Sequence, residues 1–307
     1  MPTNKKPQSS KPSRQDTVTL TPRASTVTAS KFRPDDPSAD PRNHPGTEPA
    51  VGQAIKKSGI PRSEIFITTK LWNNSHDPTD VEPAIDASLK DLGTDYLDLY
   101  LMHWPAPFKS GSAMMPRDKD GKIETGSADY VDTYKAMEAV QKKGKARAIG
   151  VSNFSLAEMK RLIASTSIPP AAHQIELHPY LQQHGFLQWH HDNKIHVSQY
   201  SPFGNQNEIY SKGQQMSKLI DDPLLNDIGK KYGKSGAQVA LAWGIANGCS
   251  VLPKSKTPAR IKANLEGDFK LDKADVEEVA SIDKKMRFND PSERFGWKFY
   301  ADLEGKA

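Results

Sequence analysis

Two short runs each end in one polar side chain followed by a tryptophan: Ile65-Phe-Ile-Thr-Thr-Lys70-Leu-Trp72 and Leu99-Tyr-Leu-Met-His103-Trp104-Pro105. A fixed ammonium lowers the pKa of a neighbouring acid, and an imidazole beside it offers a second group for proton chemistry. A buried strand that presents a lone Lys or His at its C-terminal end is how a parallel α/β barrel builds an active site. One member of such a set is missing. No neutral acid that could donate a proton is evident just upstream of Lys70, and the first tyrosine in the chain is Tyr96.

A second constellation lies near the C-terminus, in Val251-Leu-Pro-Lys254-Ser-Lys-Thr257-Pro258-Ala-Arg260-Ile-Lys-Ala-Asn264. Here a strand ends, and Thr257 and Pro258 supply an N-cap and a first-turn residue for a helix. The backbone N–H groups of that terminus, with Lys254, Lys256 and Arg260, suit a phosphate. A dianionic 2′-phosphate matches that many cations.

These groups need elements to position them. Strands are expected at Ile65–Lys70, Tyr96–His103, Ala146–Ser152, Ala172–Leu177, Ile195–Ser201 and Ser250–Pro253. Between them, the stretch Asp80–Leu92 puts Val81, Ile85, Leu89 and Leu92 on one helical face. Its start, Thr79-Asp-Val-Glu82, reads as a capping box, as do Ser155-Leu-Ala-Glu158 and Ser235-Gly-Ala-Gln238. Alternating strands and helices argue for a parallel sheet. No G-x-G-x-x-G is present, and the polar candidates fall at the ends of many strands, which favours a closed (β/α)8 barrel over an open sheet. Six units are visible where eight are needed, and the two missing ones should precede Glu48. Strands 65–70 and 250–253 are then expected to show unpaired edges. The loop from Pro105 to Tyr130 is a candidate lid or specificity loop. The tail after Lys285, with Phe288, Phe295, Trp297 and Phe299, reads as packing anchors.

Composition sets bounds. The chain has 307 residues, 36% of them hydrophobic. Residues 1–46 are rich in Pro, Ser, Thr and Lys and poor in large apolar side chains, so a disordered arm is expected there, followed by one barrel domain over 47–307. The arm carries eight basic and four acidic residues, and so four of the chain's five net positive charges. Basic residues interleaved with aromatics are not evident, which argues against a nucleic-acid partner. The single cysteine, Cys249, excludes disulfide frameworks and Cys-based zinc sites and fits a reducing compartment, the cytoplasm. No apolar run approaches a membrane span. The stretch from Lys5 to Arg33 resembles a transit peptide weakly but lacks an amphipathic face.

The motifs together resemble the aldo-keto reductase family, and within it the fungal glycerol dehydrogenase/glyceraldehyde reductase branch. They are Thr-Thr-Lys-Leu-Trp, Leu-Met-His-Trp-Pro, Gly150-Val-Ser-Asn-Phe154, His173-Gln-Ile-Glu-Leu-His-Pro-Tyr180, Gln199-Tyr-Ser-Pro-Phe-Gly204 and Pro253-Lys-Ser-Lys-Thr-Pro-Ala-Arg260. The resemblance implies NADP(H)-dependent interconversion of small aldehydes or ketones with alcohols, by a monomer. In it His103 orients the substrate carbonyl, and Lys70 stabilises the ionised form of a catalytic tyrosine. Ser152, Asn153 and Gln174 hold the nicotinamide carboxamide, and Tyr200 stacks on its ring. Ser201 and Phe203 flank the pyrophosphate. Lys254, Ser255, Lys256, Thr257 and Arg260 bind the 2′-phosphate, and Asn264 reaches the adenine. Trp72 and Trp104 line the substrate pocket.

The pattern departs from the family upstream of Val51-Gly52. Glu48 aligns with the family's Glu, but Pro45 stands in the place of the catalytic tyrosine and Asp40 falls at the place of its aspartate. Three readings remain open at this level. The N-terminal portion is an intron or frame error in the coding sequence; or the chain binds cofactor without catalysis; or it is a weak reductase using another acid.

Overall fold

The computed structural model describes residues 46–204 and 218–305, together with the backbone of two strands, Thr17–Thr21 and Ala24–Thr28. Eight strands close into a ring in sequence order: β1 (Thr17–Thr21), β2 (Ala24–Thr28), β3 (Ile65–Leu71), β4 (Leu97–Met102), β5 (Ala146–Ser152), β6 (Ala172–Glu176), β7 (His196–Tyr200) and β8 (Ser250–Leu252). From β2 to β8 every neighbouring pair is parallel, while β1 runs antiparallel to both β2 and β8.

The ring corrects two expectations. The arm carries two strands at 17–21 and 24–28 and is not without regular structure there. The flanks of β3 and β8 are also paired: β2 lies along β3 from Ser25↔Ile65 to Thr28↔Thr68, and β1 meets β8 at Leu20↔Val251. The physical reason is in the residues. Thr-Val-Thr-Leu-Thr alternates β-branched Thr with apolar residues, and Ala-Ser-Thr-Val-Thr ends in a β-branched Thr-Val-Thr run, both suited to an extended chain.

Helices α1 (Glu48–Ser58), α2 (Pro78–Leu92), α3 (Tyr130–Lys142), α4 (Leu156–Ser165), α5 (His184–Asp192), α6 (Pro223–Tyr232), α7 (Gly236–Ala246), α8 (Pro258–Leu265), α9 (Lys273–Val279) and the short α10 (Ser292–Phe295) lie outside the strands. Proline opens α2, α6 and α8, where its missing N–H costs no helical bond. The capping boxes at Ser155/Glu158 and Ser235/Gln238 are both formed. The third is not. Asp77 caps α2 by accepting the Thr79 amide at 3.0 Å, and Glu82 is drawn instead to Lys143 and Lys145.

The core sits between the outer faces of the strands and the helices. Ile67, Leu71, Tyr100, Met102, Ile149 and Val151 pack with helix residues such as Val81, Ile85 and Met137, all fully buried. Leu99, Leu101 and Ala172 fill a smaller inner cluster. Gly150 lets β5 and β6 close on each other: a Cβ there would lie 2.2 Å from the Ala172 carbonyl oxygen. On the face away from the strands' C-terminal ends, Asp98 accepts from the Ile67 amide, Arg62 and Arg147, whose guanidiniums sandwich the Tyr96 ring. Among the described residues no helix is long and apolar enough to cross a membrane.

Candidate active site

The C-terminal ends of β3 to β8 open on one side of the ring, and each delivers a residue singled out from the sequence. Lys70 is the penultimate residue of β3 and is buried, which pulls its ammonium down from an ordinary 10.5 to about 8. His103 follows β4, tied by its backbone amide to the Leu71 carbonyl at 3.1 Å. Burial first, then the charges of Lys70 and His76, hold its imidazole well below the usual range, so it is neutral near pH 7. Trp72 meets the His103 ring edge-on at 4.9 Å between centroids, and Trp104 stacks beside it at 6.1 Å.

The ends of β5, β6 and β7 converge on one amide, Asn153. It follows β5 and adopts a left-handed backbone, φ 64°, a conformation Asn tolerates better than other non-glycine residues. Its backbone N–H donates to the Gln174 carbonyl at 3.1 Å. Its side-chain Nδ2 donates to the His103 carbonyl at 3.0 Å and to Ser152 Oγ at 3.1 Å, and Ser152 Oγ donates to the Gln174 carbonyl at 2.8 Å. Its Oδ1 accepts from the Tyr200 hydroxyl at 2.8 Å and from the Tyr300 hydroxyl at 3.1 Å. Ser152, Asn153, Gln174 and Tyr200 are thus brought together beside His103. Ser201, also left-handed at φ 50°, accepts from Asn289 Nδ2 at 3.3 Å, and Phe203 packs against the core.

After β8 the chain turns into α8 with Thr257 as N-cap and Pro258 first, though the Thr257 side chain makes no capping bond. The Thr257 amide donates to Ser255 Oγ at 3.2 Å. Lys254, Lys256 and Arg260 are exposed around this terminus, and Asn264 is half-buried on the same helix. Asp40 and Pro45 lie outside the described residues.

The long loop and the tail cover the tryptophans. Trp72 Nε1 donates to the Met114 carbonyl at 2.6 Å, and Asn74 holds the Gly111 and Ala113 carbonyls. Phe295, Phe299 and Tyr300 pack on Trp72 and Trp104 in one buried cluster, so the tail anchors and covers at once. Glu176 pins that tail: its carboxylate accepts from the amides of Phe288 and Asn289 at 2.8 and 2.9 Å. Burial pushes this carboxyl up, but hydrogen bonding and charge from His178, with Arg287 and the Phe288 amide, outweigh it and hold it low.

A cavity of about 350 Å³ lies between the end of β3, helix α2 and the long loop, with Lys70, Trp72, Asn74, Tyr100 and Met114 in its lining. His103 and Trp104 do not line it. The Tyr100 hydroxyl is buried without a hydrogen-bond partner among the described residues, and burial and the charge of Glu48 raise its pKa. Tyr300 and Tyr100 were not anticipated from the sequence. The aromatic tail was visible, but its pairing with Asn153 across 147 positions leaves no local signal. Among the described residues no cluster of three or more His, Cys, Asp or Glu can hold a metal, and Cys249 is a buried free thiol pushed up to about 12.

The donor set fits a nicotinamide dinucleotide. At one end Asn153 Oδ1 accepts from two tyrosine hydroxyls, either of which a carboxamide N–H could replace, and at the other stands a helix terminus ringed by exposed cations. Known proteins share the pattern. The model of the aldo/keto reductase family matches residues 44–284. An uncharacterized oxidoreductase of Schizosaccharomyces pombe is 45% identical over 246 residues, 80% of this chain and 76% of that protein. Aldo-keto reductase family 1 member A1 is 41% identical in Xenopus tropicalis and 37% in Homo sapiens, each over 249 residues, 79% of this chain and 76% of the relative. With strand-end residues, barrel and relatives in agreement, the chain belongs to the aldo/keto reductase family.

Proposed function

We propose that this chain is an NADP(H)-dependent oxidoreductase that interconverts small aldehydes or ketones with the corresponding alcohols, glyceraldehyde and glycerol among them. The observation that carries the reading is the convergence of Ser152, Asn153, Gln174 and Tyr200 on one amide beside His103. Asn153, Ser152 and Gln174 would hold the nicotinamide carboxamide, and Tyr200 would support its ring. Lys254, Ser255, Lys256, Thr257 and Arg260 would hold the 2′-phosphate, which favours NADP(H) over NAD(H). Bound NADPH supplies a hydride to a carbonyl carbon.

The residues of the chain do the rest. The neutral imidazole of His103 can donate a hydrogen bond that orients a carbonyl, but it has no spare proton to release near pH 7. The hydroxyls of Tyr100, Tyr200 and Tyr300 are all held above the ordinary tyrosine range by burial first. Lys70, at about 8, is protonated at neutral pH and close enough to it to release a proton readily. With Pro45 in the place of the family's tyrosine, we assign proton donation to Lys70. The ammonium gives up one proton to the carbonyl oxygen and is left as the neutral amine, to be refilled from solvent. A single polypeptide in a reducing compartment such as the cytoplasm suffices for this chemistry.

The test is NADPH oxidation by the purified full chain with glyceraldehyde as substrate. Substrate-dependent turnover supports the reading. NADPH binding without turnover points to a cofactor-binding homologue without catalysis, and absence of both refutes the reading.

A further inference from the structure

Two buried histidines lie behind Asn153 and take no part in the chemistry above. His173 sits on β6 one residue before Gln174, and His190 sits on α5; both are fully buried. They form an ordered chain of hydrogen bonds. The Phe154 amide donates to His173 Nε2 at 3.1 Å. His173 Nδ1 lies 2.8 Å from His190 Nε2, and His190 Nδ1 lies 2.7 Å from the Phe186 carbonyl.

Only one pair of tautomers satisfies this chain. A backbone N–H can only donate, so His173 Nε2 is the acceptor and its proton is on Nδ1. That proton goes to His190 Nε2, which leaves His190 Nδ1–H to donate to the Phe186 carbonyl, an acceptor only. Both rings are neutral, and every nitrogen is used. Phe154 and Phe186 meet the His173 ring edge-on, at 6.4 and 5.7 Å between centroids, so the imidazole has no room to turn.

The amide that His173 accepts belongs to the residue after Asn153. Asn153 is therefore gripped on both sides, its own N–H by the Gln174 carbonyl and the next N–H by His173. Between those two bonds the backbone is left-handed, the less favoured basin for a residue with a Cβ. That conformation aims the side-chain amide at His103, Ser152 and Tyr200.

We infer that His173 is a positioning residue for the nicotinamide end of the cofactor, and that His190 fixes the tautomer in which it acts. The inference rests on the reading of Asn153 as the carboxamide holder. A side chain that orients a ligand's partner without touching the ligand changes how well one end of that ligand is held and leaves the far end alone.

The experiment titrates the full-length protein, His173→Leu and His173→Gln with NADPH and with 2′,5′-ADP, which covers only the end at Lys256 and Arg260. His173→Leu is expected to bind NADPH about tenfold more weakly, the weight of one good hydrogen bond, with 2′,5′-ADP unchanged. His173→Gln, whose side-chain carbonyl can reach the same amide, is expected to recover most of that loss. Equal weakening of both ligands overturns the inference, as does wild-type NADPH affinity in folded His173→Leu. If His173→Leu does not fold, ¹⁵N spectra of the unmodified protein decide. An unprotonated Nε2 coupled to the Phe154 amide and shifted by NADPH supports the inference, and a protonated Nε2 overturns it. A parent protein that binds NADPH no better than 2′,5′-ADP refutes the role given to Asn153, and the inference falls with it. One that binds neither refutes the cofactor itself.

Discussion

Replacing Lys70 by Met should separate activity from stability. The ammonium is buried and its folded pKa is about 8, against an ordinary 10.5. The unfolded chain keeps its proton to about pH 10.5, so between there and pH 8 the unfolded state binds more protons. Stability then rises with pH through that window, and the full penalty of the buried charge is present below it. A gap of about two and a half pKa units corresponds to about 3 kcal/mol. Lys70→Met removes that charge and keeps most of the apolar stem. At pH 7 its urea midpoint should rise by the equivalent of about 3 kcal/mol, and the gain should vanish above pH 10.5. Turnover of glyceraldehyde with NADPH should fall by about 10²–10⁴-fold, the usual worth of a general acid. In the parent protein the rate should drop about tenfold for each pH unit above 8, because the protonated fraction does so. A rate that stays flat to pH 10, or a Lys70→Met variant with ordinary turnover, refutes Lys70 as proton donor. A variant no more stable than the parent at pH 7 refutes the buried charge.

Four further outcomes are expected. Tyr300→Phe removes one of the two hydroxyls that occupy Asn153 Oδ1, so NADPH should bind roughly fivefold more tightly in a fluorescence titration; weaker binding would mean that Tyr300 helps hold the cofactor. Arg260→Ala with Lys256→Ala should weaken NADPH by about 100-fold while leaving NADH unchanged, and the difference should shrink with salt. Asp77→Ala should cost about 1 kcal/mol in thermal unfolding and Thr79→Ala much less, because Asp77 accepts the amide at the start of α2. His76 and His190, lowered by burial to about 3 and about 4, stay neutral in the folded state while the unfolded chain takes up protons below pH 6.5. These two rings together should therefore lower stability by about 4 kcal/mol between pH 7 and pH 5, in addition to the losses from His103 and His173, read as the part of the fall in urea midpoint that is missing from a His76→Gln/His190→Gln variant.

The residues at the strand ends are more legible in the sequence than the ring that carries them. Lys70 and His103 could be read because a polar residue ending an apolar run is a local signal, and both stand at strand ends. The strands from 65 onward could be read for the same reason, and so could the caps at Ser155 and Ser235. The strands at 17–21 and 24–28 were hidden by averaging. Two five-residue runs rich in Thr and Val vanish in the composition of a 46-residue stretch full of Pro, Ser and Lys. Asp77 was overlooked because Thr79 and Glu82 imitate a capping box two residues further on. The links of Tyr300 to Asn153 and of Arg287 to Gln183 span over 100 residues and follow from the closed fold alone.

Among the described residues the seam between β1 and β8 shows one aligned pair, Leu20 with Val251, while β4 and β5 share five. Its two sides are also among the most distant parts of the chain. During synthesis β1 emerges well before β8, its second partner, which follows only after more than 200 further residues. Until then β1 has one unpaired edge, open to any extended segment that diffuses past. Closing so long a loop is slow, because the chain loses its entropy before the contact repays it. Until the ring closes, that edge is therefore exposed to other nascent chains, and a segment that adds to it would compete directly with β8.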